Sequence, residues 1–574
     1  MVDYLLLTTG RAPGDPRAPR VLVAGDWCGE TKASLDANVS LEMLDYPIDC
    51  LDAVKIRSEI DSVFNELLSR TAIAYNDIFG LNKNSRYYKI VLGRWIVHFL
   101  HNVYEKREIL NSASRKYPGL SIESCGKTYA LSFDSDDYSQ RSYSSHDFNF
   151  QMYSGVAEFL GDIRKSYVGI GDTSIRIPGS KARVGATLKR GFQSFGCELN
   201  RVFRSRMTLV VSPNYPRSGF YNSLWFFVKS GGEIVHYKFS QLQPSVDKLD
   251  LNLRNLLSNK FSCDGKNQLL DIASKLLFHF IPQAFVEYFT SYREEALHWL
   301  RKYPKTNRVF TANAIHTDEP FKYLVAEARP RDLWISQHGA GYGFSEVQSS
   351  EDYERELADR YFTWGWGDDV LPHPILVSDR RIGYKKNEAI VFTCPTVTEY
   401  AGLLESYFIA SNYGHTLHLS DQLLQHLTSE ILVKVVLRQR EKKGLRIFKP
   451  QVDVRGDTIP LFHDSLKRAR VHLSNHIGTP VLESLAMNVP TVVVRDPTIQ
   501  RMRLSAAPFF ERLKTVQILF EDPLKAAHHL NSVYANIDEW WMRDATQAAV
   551  RSFCSRFAQS DRNWRTAWLN ALKG

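Results

Sequence analysis

The chain has 574 residues, 44% hydrophobic and 12% aromatic, enough to bury more than one core, so about two to four domains are expected and a disordered or fibrous protein is excluded. Lysine and arginine number 72 against 63 acidic residues, a net +9 with a pI near 9.0, which favours anionic ligands such as nucleotides, acidic sugars or phospholipid headgroups without calling for nucleic acid. Seven scattered cysteines with no C-x-x-C pair exclude an encoded zinc site or disulfide framework and suit reduced thiols in a cytoplasm.

The chain opens with two apolar runs, residues 4–9 and 21–24, separated by turn-forming glycine, proline and aspartate, and they are predicted to be parallel strands of one sheet. The first is too short, and carries Asp3 where a signal peptide has a basic start. From residue 51 to 107 the apolar spacing turns helical, with Ile56, Ile60, Val63, Leu67 and Leu68 on one helix and a second around 87–104. The longest apolar stretch, 90–100, contains Arg94 and His98 and falls far short of the roughly 20 residues a spanning helix needs. Residues 125–222 are polar and serine-rich and read as an insertion or acceptor-facing segment. Within them, Asp134-Ser135-Asp136-Asp137 reads as a surface loop rather than a D-x-D metal motif. The basic stretch from Lys189 to Arg206, interleaved with Phe192, Phe195 and Phe203, reads as a solvated face, with peripheral contact to an inner membrane as the alternative.

Further strands are predicted at 207–211, 308–311, 333–336, 389–393, 431–437, 471–473 and 491–494, with helices between most of them. The Trp364-Gly365-Trp366-Gly367 piece, followed by Pro372 and Pro374, reads as a crossing between two α/β domains. These are 1–365, acceptor-side and carrying insertions, and 366–574, nucleotide-binding, its last helices expected to pack back on the first. Ligands of open α/β sheets sit outside the carboxyl ends of the strands, so a cleft between the two domains is the expected site.

Two turns fall at such ends. Ser474-Asn475-His476-Ile477-Gly478-Thr479-Pro480 precedes a helix, with Thr479 placed as N-cap and Pro480 at the first helical position. Free amides there can hold a nucleotide phosphate, and Glu483, one turn in, can accept ribose hydroxyls; the plainer reading is a capped helix with a favourably placed acid. At the other turn, His338 precedes Gly339, Gly341 and Gly343, so backbone can approach a ligand closely, although the spacing is not that of a dinucleotide fingerprint. His338 can assist a leaving phosphate or hold a sugar carboxylate, or be structural. Upstream, Asp318 and Glu319 are either first-turn carboxylates or the base that deprotonates an acceptor hydroxyl. Arg438, after a strand, can pair with a phosphate or carboxylate, or belong to a solvated charge run.

Taken with Asn84-Ser85-Arg86-Tyr87-Tyr88, Gly93-Arg94-Trp95, Thr311 through Lys322 and Asp359 through Trp366, these turns resemble a family of bacterial surface-carbohydrate transferases associated with nonulosonic acid gene clusters and distantly similar to capsule Kdo transferases. The chain departs from the family pattern in having Gly339-Ala340 where a glycine pair is usual, and no second hydroxyl residue beside Thr479. The resemblance implies a GT-B fold, two Rossmann-like domains facing a central cleft with a helical and polar insertion in the N-terminal half, and no essential metal or cofactor. It implies a CMP-activated acidic sugar, pseudaminate-like or Kdo, passed to a glycan acceptor that can be lipid-linked, in the cytoplasm or at the inner face of the inner membrane. On that reading Asp318, Glu319 and His338 are catalytic, and Gly339, Arg438, Ser474, Asn475, Thr479 and Glu483 bind the nucleotide sugar. The alternatives are a CDP-alditol phosphotransferase of teichoic-acid type and a non-catalytic glycan-binding protein.

Overall fold

A computed structural model describes residues 4–11, 20–29, 39–126, 130–169, 196–204, 206–214, 219–242, 249–261, 265–328, 332–372, 388–400, 402–405, 413–440 and 445–573. These residues form three all-parallel sheets and one short antiparallel pair, Val397–Thr398 with Leu445–Arg446. The first sheet holds Leu5–Leu7, Arg20–Val23, Ser40–Met43, Ser121–Ser124 and Arg164–Tyr167 in spatial order 3-2-1-4-5, counted along the chain. The second holds Met207–Val211, Ile234–His236, Thr306–Thr311, Asp332–Ser336 and Arg360–Phe362 in order 2-1-3-4-5. The third holds Ala389–Thr393, Val435–Arg438, Arg455–Gly456, Ala469–Ser474, Thr491–Val494 and Leu519–Phe520 in order 3-2-1-4-5-6, the doubly wound Rossmann order. Central strands such as Met207–Val211 and Thr491–Val494 are buried along their whole length, as parallel strands covered on both faces must be.

Residues 130–167 of the polar stretch belong to the first sheet's unit. Helices Ser135–Ser144 and His146–Ala157 and the strand Arg164–Tyr167 complete the first sheet's unit, and the Asp134 carboxylate caps the first helix by accepting the Asp137 amide. Asp134-Ser135-Asp136-Asp137 is therefore a helix start rather than a loop. The strand predicted at 431–437 is also corrected, because Ser429–Leu432 is helical and the strand begins at Val435. Of the basic stretch 189–206, residues 189–195 and Ser205 lie outside the described residues; Val202, Phe203 and Arg204 are exposed.

One continuous apolar core joins the first two sheets through the helices Ala53–Phe79 and Ser85–Lys116, while the third sheet has its own. The last helix, Trp564–Lys573, returns to the second sheet: Trp564, Trp568 and Leu572 pack with Val210, Phe310 and Phe362. Polar contacts fix its end, since Arg308 donates to the Leu572 carbonyl at 2.9 Å and Trp568 Nε1 to the Pro372 carbonyl at 2.7 Å.

Between the second and third sheets the chain passes through Trp364-Gly365-Trp366. Gly365 has φ 132°, and a Cβ there would meet the main chain of Ser555 and Arg556 on helix Asp544–Phe557. No side chain fits without moving backbone. Gly365→Ala is expected to lower the thermal unfolding midpoint by roughly 2 °C or more; an unchanged midpoint would show that this crossing is not tightly held.

Candidate active site

The adjacent parallel strands Thr306–Thr311 and Asp332–Ser336 bring two segments side by side at their carboxyl ends. After the first, the Thr311 hydroxyl accepts the amides of Asn313 and Ala314, starting the short helix Ala314–Thr317 that carries His316. After the second comes Gln337-His338-Gly339. The Gln337 side chain locks this turn by donating to the Gly339 carbonyl at 2.9 Å and accepting from Trp366 Nε1 at 2.8 Å and the Trp364 amide at 3.2 Å. Gly343 has φ 77° and lies so close to the Trp366 ring that a Cβ would stand 2.6 Å from it.

Glu354, on helix Ser349–Leu357, is the centre of the site and was not anticipated from the sequence. Its carboxylate is fully buried. Oε1 lies 2.6 Å from His316 Nε2 and 2.9 Å from His338 Nδ1, and it accepts the Tyr342 hydroxyl at 2.9 Å; Oε2 accepts the Tyr361 hydroxyl at 2.8 Å. Burial alone would push this carboxyl up, but His338 and His316 together outweigh it and hold it down at about 2. Burial pulls His316 down to about 4 and raises both phenols well above their ordinary value, so the phenols stay protonated and donate. The Glu354 charge beside Nδ1 favours the proton on that nitrogen and leaves Nε2 as the basic one. The His338 side chain is 25% exposed, so the ring is anchored on one side and accessible on the other. The ligand atoms of His316, His338 and Glu354 also lie within 4.8 Å of one another, so among the described residues this cluster could hold a metal ion.

His338 and His316 open on a cavity of about 270 Å³ lined also by Arg94, Tyr143, Asn313 and Ser350. Asp136 belongs to the same wall, so the start of helix Ser135–Ser144 faces the site.

Opposite stands the third sheet. The Ala340 amide donates to Thr479 Oγ1 at 3.2 Å, so the two predicted turns touch. Helix Thr479–Ala486 starts one residue earlier than expected, with Gly478 at the cap and Thr479 inside the first turn. Glu483 makes no side-chain hydrogen bond among the described residues, and burial pushes its carboxyl up to about 7 against the opposing pull of Arg438. Asn475 Nδ2 donates to Ser420 Oγ at 2.9 Å beside a narrow cavity of about 10 Å³ that Asp496 also lines. Ser474 is fully buried and tied inward, its hydroxyl donating to the His476 carbonyl at 2.8 Å.

Three sequence candidates have other tasks here. Glu319 is fully buried, paired with Lys322 at 2.8 Å and accepting the Ser135 amide, which fastens its helix to Ser135–Ser144. Asp318 caps the helix Glu319–Glu327 by accepting the Phe321 amide at 3.1 Å, and burial raises it to about 6. Arg438 gives its guanidinium to Asp457 at 2.7 Å, to the Ile459 and Pro460 carbonyls and to Ser465, so a ligand would have to displace these contacts.

The glycine turn after His338 and the start of helix Thr479–Ala486 thus meet at the carboxyl ends of strands of the second and third sheets, the place where open α/β sheets hold ligands. Residues 4–572 match the family described as LIC12162 family transferase, and the chain belongs to that family. No curated protein matches it. Among solved structures it is similar to the wall teichoic acid polymerase TagF (9% identity, 68% of this chain and 94% of that one, TM-score 0.31). It is also similar to the spinosyn forosaminyltransferase SpnP (11%, 64% and 100%, 0.31) and to the calicheamicin glycosyltransferase CalG4 (10%, 96% and 94%, 0.19). Likeness at this level says nothing of donor or acceptor.

A carboxyl held at about 2 in the folded chain, against about 4.3 unfolded, contributes stability that is complete above pH ~4.3 and is lost as the pH falls through about 2. Glu354→Gln is therefore expected to be less stable than the wild type by about 2 kcal/mol at pH 7, with the gap closing on acidification. Denaturant unfolding at a series of pH values measures it, and a gap that stays constant into acid would contradict the charge assignment.

Proposed function

We propose that the protein is a glycosyltransferase of GT-B type that moves an acidic eight- or nine-carbon sugar from a CMP-activated donor to a hydroxyl of a bacterial surface glycan. The observation that carries this reading is the contact, through Ala340, of the turn that bears His338, itself anchored on Glu354, with the helix start at Thr479.

In this reading the donor phosphate lies at the Thr479 helix start, where the helix dipole favours negative charge, and Glu483 takes the ribose hydroxyls. His338 Nε2 accepts the proton of the acceptor hydroxyl as its oxygen bonds to the anomeric carbon. The bond from that carbon to the phosphate oxygen breaks, and CMP leaves with the electron pair. Glu354 remains ionised and stabilises the histidinium that forms. His338 thus takes the base role considered for Asp318 and Glu319, whose carboxylates support the two helices that frame the cavity. A cytidine-nucleotide donor implies work in the cytoplasm or at the inner face of the inner membrane. No helix among the described residues is long and apolar enough to cross a membrane.

Thermal stabilisation by CMP, CDP, UDP, GDP and ADP tests the donor, because a ligand that binds only the folded state raises stability with its occupancy. A shift selective for cytidine nucleotides and lost in Glu483→Ala is expected; selectivity for UDP or GDP would overturn the donor assignment. With a turning-over donor, His338→Ala should lower kcat by about 100-fold or more while leaving the cytidine shift intact.

A further inference from the structure

Arg94 has no place in the chemistry described above. It sits about a third of the way along the helix Ser85–Lys116, half-buried, and lines the cavity beside His338. Among the described residues it pairs with no carboxylate, and its one side-chain hydrogen bond is a long one, 3.5 Å to Ser349 Oγ. Two other arginines differ: Arg254 is forked onto Glu287 at 2.6 and 2.9 Å, and Arg503 onto Glu351 at 2.8 and 2.9 Å, whereas Arg308 donates to a main-chain carbonyl. A guanidinium removed from bulk water normally finds such a partner.

No carboxylate among the described residues reaches it directly: the buried Glu405 feels the Arg94 charge, but its Oε1 is taken by the Ser349 amide and hydroxyl, and burial raises its carboxyl. His98 and His316 are held neutral by burial first and by the Arg94 charge among the lesser causes, and the nearest acid on the cavity wall, Asp136, is exposed. Ser139, Tyr143, Asn313 and Ser350 line it as well, and Arg94 is the one lysine or arginine among its described lining residues. At about 270 Å³ the space is of small-ligand size.

We propose that this cavity seats an oxyanion carried by a sugar or alditol, a carboxylate or a phosphate, on the Arg94 fork, so that an anionic glycan unit is presented to His338. A planar fork of donors binds either group in two-point fashion, which would fix the ring and aim a hydroxyl at the histidine. The inference deepens the proposed transferase reading by naming an anionic glycan as the class of substrate on this side of the cleft.

Ligand-observed NMR on the full-length protein, without nucleotide, tests it with D-glucuronate against glucose and glycerol 3-phosphate against glycerol. One anion is expected to bind where its neutral counterpart does not; glucuronate would mark a carboxylate seat and glycerol phosphate a phosphate seat. Arg94→Gln should weaken that binding roughly tenfold or more, and Arg94→Lys, which keeps the charge but not the fork, by an intermediate factor. If Arg94→Gln does not fold, as its melting curve would show, the lysine variant alone carries the test. Anions that bind no better than neutral sugars at millimolar concentration, or folded Arg94 variants that bind as the wild type does, would overturn the proposal. Because no nucleotide is present, failure of the cytidine assignment and failure of this one are separately visible.

Discussion

A carboxylate taken out of water and left alone would be among the most expensive objects a protein could bury. Glu354 is tolerated because two imidazoles and two phenols converge on it, from the ends of two neighbouring strands, from the glycine turn and from the edge strand Arg360–Phe362. Removing any donor leaves part of that charge unpaired, so the four elements are bound to one geometry. The same charge that organises the second sheet's edge also sets the proton on His338. Stability and chemistry here have one origin.

A second buried acid on the same helix extends the constraint across the cleft. Glu351 accepts the Gly343 amide at 2.8 Å and receives the Arg503 fork from the third sheet's unit. Nearby, Arg501 pairs with Glu346 at 2.8 Å. The glycine turn is therefore held from behind by one unit and from the front by the other, and the contact of Ala340 with Thr479 follows from that clamping. The turn that carries His338 and the helix start at Thr479 are therefore held against each other by side chains of the chain itself.

Much of the scaffold was legible because parallel strands buried on both faces write long apolar runs: 207–211 and 491–494 need no tertiary information. The glycines after His338 were equally plain. What escaped has physical reasons. Ser40–Met43 is exposed along its length, and three of the four residues of Arg164–Tyr167 are polar, so neither carries a periodic signal. The apolar run at 431–437 looks alike as strand or helix, and packing makes its first two residues helical. Glu351 and Glu354 stand among Asp352, Arg355 and Glu356, a composition indistinguishable from a solvated helix face, and only the fold shows that two of these acids point inward. Arg438 has its partner nineteen residues away at Asp457, beyond any local rule. Glu319 could have been read more closely, since Lys322 stands at the i,i+3 spacing of an ion pair.

The proposed chemistry depends on which nitrogen of His338 carries the proton. Nitrogen NMR of the histidine-labelled protein at neutral pH, with the resonance assigned through His338→Gln, reads this directly and needs no substrate. The expected result is a proton on Nδ1 with Nε2 bare, and a change in that tautomer when Glu354 is replaced by Gln, whose amide can donate. A ring protonated on Nε2 in the wild type would show that Glu354 does not orient His338 as a base, and the proposed chemistry would fall with it.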